Sequence, residues 1–364
     1  MSTAFSSPLF QRVERARRRK RKFTDTHITL AHGSGGRAMH ELIEGLFLDY
    51  FRNPLLERLE DQAVFDVTAS QLAYTTDSYV VSPIFFPGGD IGKLAINGTV
   101  NDLAMSGARP LYLSSGFILE EGFSIDNLKR VLSSMRDAAA EAGVTIVTGD
   151  TKVVQKGSAD RIFINTSGIG VIESPLNLSS SRAQPGDKVI LNGTLGDHGT
   201  TIMIARGELE LETDIESDCA PLNSLVAEMI DEAKRLDAFA GLHCLRDPTR
   251  GGLATTLNEI ALGSEVCIEI REELIPVREE VKGACEILGL DPLYVANEGK
   301  LVAIVSADLA EPLVARMKQH RYATEACIIG DVKSEPGGIV SMRTGFGGTR
   351  IVDMLVGEQL PRIC

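Results

Sequence analysis

The sequence predicts a layered fold of the α/β (α+β) class in two domains. Three observations carry that prediction. Strand-like and helical patterns alternate through the first half, and the alternation resumes after the turn Pro185-Gly186-Asp187. The length of 364 residues also exceeds what one core usually holds but suits two domains of about 100–200 residues each. The expected division is a basic, disordered extension over 1–26, an N-terminal domain over 27–176, a C-terminal α/β domain over 177–344 and a tail over 345–364.

In chain order, Thr29–Ala31 reads as a short strand and His32 leads into Gly33-Ser34-Gly35-Gly36. A helix follows from Arg37 to about Tyr50, with Met39, Leu42, Ile43, Leu46 and Phe47 on one face. A Gly-rich turn at a helix N-terminus gathers N–H groups and the positive end of the dipole, which suits a phosphate; a plain turn has the same composition. Leu72–Thr76 is a strand ending at Asp77, and Val80–Phe86 is a second apolar run. Pro87-Gly88-Gly89 turns the chain, and Asp90 is placed to cap a helix from Ile91 to about Ser106. That helix interrupts its apolar positions with Asn97, Thr99, Asn101 and Asp102. Asn97 and Asn101, four apart, share a face that is either a solvated stripe or a functional one. Short polar side chains are poor helix formers where Glu and Lys would serve, so both readings stand. Pro110–Leu119 is strand-like, Ser124 opens a helix with Ile125, Leu128, Val131, Leu132 and Met135 inward, and Gly143–Thr148 is a buried strand ending in Gly149-Asp150-Thr151-Lys152. Arg161–Val171 supplies a further strand.

The second half opens with the strand Lys188–Leu191; Gly193, Gly196 and Gly199 then lead into a helix from about Thr200 without the G-x-G of a dinucleotide fingerprint. Gly88–Lys93 likewise fails as a P-loop, because Pro87 and Leu94 stand where Gly and Ser or Thr belong. Asp247–Gly252 precedes a helix to about Leu262, followed by the strand Val266–Ile270 and the helix Val277–Leu288. Asn297-Glu298-Gly299-Lys300 enters the apolar strand Leu301–Val305, and Glu311–His320, Cys327–Val332 and Ile339–Met342 complete the domain.

A net charge of −13 disfavours general nucleic-acid binding. Arg12–Lys22 opposes the trend with eight basic residues and one acid. No apolar stretch approaches the ~20 residues that span a bilayer, and no signal-peptide pattern opens the chain, so a cytoplasmic protein is expected. Six cysteines stand singly with no C-x-x-C pair, which argues against structural zinc and a disulfide framework. Cys219, Cys244, Cys267, Cys285 and Cys327 lie in or beside apolar runs and read as buried thiols. Cys364 differs: it ends the chain after Pro361-Arg362-Ile363, a thiol on a terminal arm able to move between outside and inside.

Asp77, Asp102 and Asp150 sit where elements hand over to loops or on the irregular helix. Singly, each fits a cap or turn. Together with a Gly-rich turn and Lys152 they offer the hard oxygen donors and the cation that a Mg²⁺-triphosphate requires.

The motifs His32-Gly33-Ser34-Gly35-Gly36, Thr76-Asp77-Ser78-Tyr79, Phe85-Phe86-Pro87-Gly88-Gly89, Asn101-Asp102, Val147–Val154, Gly193–Gly199, Thr249-Arg250-Gly251-Gly252, Asn297–Lys300 and Pro361-Arg362-Ile363-Cys364 resemble those of the HypE hydrogenase maturation factors. These are similar in turn to the ATP-using synthetases that make aminoimidazole ribonucleotide and selenophosphate. The resemblance runs from His27 to the end, and the terminal Pro-Arg-Ile-Cys is its discriminating part. It implies a PurM-like fold whose N-terminal domain forms a dimeric sheet or barrel, making the protein a homodimer. It also implies ATP with Mg²⁺, and an ATP-dependent carbamoyl dehydratase: a carbamoyl group placed on Cys364 by the carbamoyltransferase HypF becomes a thiocyanate. The cyano group then passes through the HypC–HypD complex to the iron of a nickel–iron hydrogenase. The implied nucleotide contacts are Gly33, Ser34, Gly35, Gly36, Asp77, Asn101, Asp102, Thr148, Gly149 and Asp150, with Asp77, Asp102 and Asp150 on the metal. The implied catalytic set is Cys364, Lys152 and Glu298. The carboxamide nitrogen must lose protons, and Glu298 is the expected base, its alternative role being a strand-start residue paired with Lys300. Two other readings stand: a selenophosphate synthetase-like enzyme, weakened because no cysteine precedes Cys219, and a non-catalytic thiol carrier, weakened by the lack of companion ligands for a soft metal.

Overall fold

The computed structural model describes residues 23–29, 32, 37–54, 57, 71–172, 176–209, 213–355 and 363. The extension before Phe23, the turn Gly33–Gly36 and Cys364 lie outside the described residues. So does part of the expected strand Thr29–Ala31, of whose neighbourhood only a bridge between His27 and Ser124 is seen.

The elements follow in order as α1 (Arg37–Leu42), a π turn (Ile43–Phe47), α2 (Leu48–Phe51), β1 (Gln71–Tyr79), the two-residue strands β2 (Phe85–Phe86) and β3 (Gly89–Asp90), and α3 (Ile91–Met105). Next come β4 (Arg109–Glu120), α4 (Ile125–Ala142), β5 (Thr145–Val154) and β6 (Ile162–Ile172). The second half contains β7 (Lys188–Leu191), α5 (Asp197–Ala205), α6 (Asn223–Arg235), β8 (Leu242–Arg246), α7 (Gly252–Ser264), β9 (Cys267–Arg271), α8 (Glu279–Leu288), β10 (Val302–Val305), α9 (Ala307–Met317), β11 (Cys327–Lys333), β12 (Ile339–Arg343) and β13 (Thr349–Val352).

The first sheet runs β1-β6-β4-β5, antiparallel except for the β4–β5 pair. Alternation along the strands sends one set of side chains under α3 and α4, where Leu94, Ile96, Leu113, Leu128 and Leu132 share a core. The opposite face is open: Leu72 is 53% exposed, Tyr74 72% and Ile118 42%. The second sheet runs β13-β12-β9-β11-β7-β10-β8. α6 and α9 pack on one side of it and α7 on the other, each over its own apolar cluster.

α3 joins the two halves. Asp90 caps it as expected, its Oδ1 accepting from the N–H groups of Gly92 and Lys93 at 2.7 and 3.2 Å. Its first turns lie in the core of the first domain, and Ala104 and Met105 lie in the core of the second. The Asn stripe is therefore buried, not solvated: Asn97 and Asn101 face the second domain. The expected tail also starts later than 345. Residues 349–352 form the edge strand β13 on β12, because the turn Thr344–Gly348 folds the chain back into a hairpin.

Candidate active site

Three segments converge beside α3. Asn101 holds two of them: its Nδ2 donates to the carbonyls of Ala220 (3.1 Å) and Glu298 (3.2 Å), and its Oδ1 accepts from Leu222 N–H at 2.8 Å. With both ends of its amide used by backbone, Asn101 acts as an interdomain clamp. Gly299 permits the close approach, since a Cβ there would lie 1.8 Å from the Asp218 carbonyl oxygen. Glu298 itself is 4% exposed, and its N–H donates to Asp218 Oδ1 at 3.0 Å.

Lys300 does not pair with Glu298. Its Nζ lies 3.0 Å from Asp218 and 4.0 Å from Asp197. Burial works against the Asp218 carboxylate, but Lys300, His198 and the Glu298 N–H outweigh it and hold the group below its ordinary range. The Glu298 charge also acts on Tyr79 and Cys219, whose pKa values are raised first by burial.

Ile363 lies here. Ile363 is 3% exposed within the first domain's core, in one cluster with Phe86, Cys219 and Ala296. Its carbonyl oxygen is 2.8 Å from His198 Nε2. Ile363, the residue before Cys364, is thus docked in the neighbourhood of Glu298.

The three expected metal ligands are not gathered. Cross-strand partners run Ser78–Asn165–Gly116–Asp150 across the sheet, so Asp150 is three strand spacings, about 14 Å, from β1. Asp150 and Lys152 share the open face and pair with each other at 3.1 Å. Asp77 lies opposite Thr166, on the side covered by α3. Within one chain the sheet therefore separates Lys152 and Asp150 from Asp77, Asp102 and Glu298. Among the described residues no three His, Cys, Asp or Glu side chains could hold a metal as they stand.

A third carboxylate interacts with Asp102 and Asp77 from the second domain. Asp247, at the end of β8, is pushed up to about 7 by burial and then by Asp102, with Asp77 adding to it. Asp102 is itself raised by burial and by Asp77, and accepts from Thr75 Oγ1 at 2.8 Å. Carboxylates that raise one another's pKa favour a bound cation, and oxygen donors of this kind suit Mg²⁺ carrying phosphate and water. Thr148, Gly149 and Asp150 line a separate cavity of ≈120 Å³, walled by Phe47, Phe51 and Phe117.

The two halves match the family models of AIR synthase related proteins, the N-terminal domain over residues 59–172 and the C-terminal domain over 184–343. Fold and site thus define an AIR synthase-related protein. Carbamoyl dehydratase HypE of Azotobacter vinelandii is 55% identical over 337 residues, 93% of this chain and 97% of that one. A crystal structure of the hydrogenase maturation protein HypE in complex with ATP superimposes with a TM-score of 0.88 at 53% identity, covering 92% of this chain and 99% of that one. The chain of a HypE–HypF complex does so with a TM-score of 0.75 at 51% identity, covering 86% and 99%. The chain belongs to the HypE carbamoyl dehydratase family.

Proposed function

We propose that this chain carries a carbamoyl group on the thiol of Cys364 and uses ATP to dehydrate it. The observation that carries the reading is the docking of Ile363 in the buried core that also holds the Glu298 loop. The carboxamide oxygen is a poor leaving group until it takes the γ-phosphoryl group of ATP. Glu298 takes one nitrogen proton from the phosphorylated carboxamide, and the departing phosphate takes the other as the C–O bond breaks, giving thiocyanate, ADP and phosphate. The family supplies the cargo and its fate: a HypF-type carbamoyltransferase loads the thiol, and a HypC–HypD complex receives the cyano group. The five described cysteines are free thiols, in keeping with a reducing, cytoplasmic setting.

Asp77, Asp102 and Asp247 would hold Mg²⁺, which neutralises charge on the phosphates. The aromatic cavity beside Thr148 and Gly149 suits the flat base of the nucleotide. Asp150 and Lys152 join this site from a second copy of the chain. Both β1 and β5 are edge strands, and the apolar open face of their sheet needs cover. A homodimer that sets β1 of one copy beside β5 of the other covers the face and carries Lys152 across.

Subunit mixing tests this arrangement. Glu298→Gln and Lys152→Met homodimers are each expected to be inactive. After subunit exchange, half the dimers are mixed and each holds one intact site, so about a quarter of full activity returns. If one chain supplied both residues, mixing would restore nothing.

A further inference from the structure

We propose that His198 is a positioning residue for the dehydration: it latches the end of the chain in its docked place by donating its Nε2–H to the carbonyl of Ile363. The inference deepens the carrier reading above and rests on it for its purpose, though not for its geometry.

The direction of each hydrogen bond follows from its neighbours. The N–H of Cys219 donates to Ser217 Oγ at 3.2 Å, which occupies an acceptor site on that hydroxyl. The Ile363 carbonyl can only accept, so a neutral His198 accepts at Nδ1, where the Ser217 hydroxyl, 2.8 Å away, gives its proton. A neutral imidazole that accepts at Nδ1 carries its hydrogen on Nε2, and Nε2 faces the Ile363 oxygen at 2.8 Å. Burial, the largest influence, keeps the ring neutral; the charged groups that act on it, Asp218 and Arg206, push in opposite directions. The ring is fixed from both sides. His198 is the second residue of α5, and Phe86 meets it edge-on with centroids 5.6 Å apart. Ser217 is anchored in turn by its own N–H to the Pro87 carbonyl at 3.0 Å.

The acceptor belongs to the peptide that joins Ile363 to Cys364, so the latch acts on the carrier thiol through one peptide unit. A tail that must leave for loading and return for dehydration needs a hold that is specific and reversible. A neutral hydrogen bond to the Ile363 carbonyl provides that. Its removal strands a buried carbonyl and shifts the docked population by roughly tenfold.

The test is alkylation of Cys364 by iodoacetamide in the full-length protein, followed on the C-terminal peptide by mass spectrometry, with a thermal melt to check folding. His198→Phe keeps the ring's shape but loses the donor, and is expected to react roughly tenfold faster than wild type. His198→Gln returns an N–H near the position of Nε2 and should react at close to the wild-type rate. If His198→Phe fails to fold, Ser217→Ala, which removes the group fixing the tautomer, takes its place and should react faster than wild type. Equal rates for His198→Phe (or its substitute) and wild type overturn the latch, as does His198→Gln reacting as fast as His198→Phe. Alkylation needs no dehydration, so a failed latch leaves the proposed activity standing, and a failed dehydration assay leaves the latch to be judged on these rates.

Discussion

Glu298→Gln is expected to bind ATP normally and to lose roughly 10²–10⁴-fold in the rate of dehydrating its carbamoylated tail. The substitution keeps the size of the side chain and both backbone contacts of the residue, the N–H to Asp218 and the carbonyl from Asn101. The loop should therefore keep its place. What disappears is a carboxylate held 4% exposed beside the docked chain end, where water cannot readily replace it as the base. Single-turnover dehydration of protein carbamoylated beforehand, alongside calorimetric ATP binding, reads the two properties separately. An unchanged dehydration rate removes Glu298 from the chemistry.

Cys364→Ala is expected to abolish carbamoyl loading while leaving the fold and ATP binding intact. No other thiol can substitute. Cys219, Cys244, Cys267 and Cys285 are buried, and burial pushes the Cys244 and Cys285 thiols up to about 12 and about 11. Cys327, half-buried, is also raised by burial and donates to the Leu274 carbonyl at 3.4 Å. A thiolate is the reactive form, so these groups are poor acceptors of the carbamoyl group. Incubation with the loading partner and its substrates, followed by intact mass, should give an unmodified variant. A loaded variant would mean another residue carries the group.

Much of the architecture was legible because it rests on local periodicity. The α4 and β4 patterns repeat or alternate as their elements require, and Asp90 caps α3 where its position predicts. What was not legible depended on partners distant in sequence. Nothing along α3 says that Asn97 and Asn101 face another domain, so a polar stripe could equally be wet. That one chain does not gather the expected trio of aspartates has the same reason. Asp77 and Asp150 end similar runs, but the strand order β1-β6-β4-β5 puts them on opposite edges of the sheet. Asp247 opens the stretch Asp247–Gly252, which along the sequence is only a helix lead-in; its partners Asp102 and Asp77 come from the other domain. His198 offered one available signal, a histidine between glycines at a strand-to-helix turn, and its function emerges only when Ile363 returns from the far end of the chain.

The most direct test of the central claim is the mass of the C-terminal peptide after carbamoylated protein is mixed with ATP and Mg²⁺. The account predicts that the adduct on Cys364 loses the mass of one water, in step with one ADP released per tail. ADP release that leaves the carbamoyl adduct intact, or an adduct lost entirely as free carbamate, would contradict it.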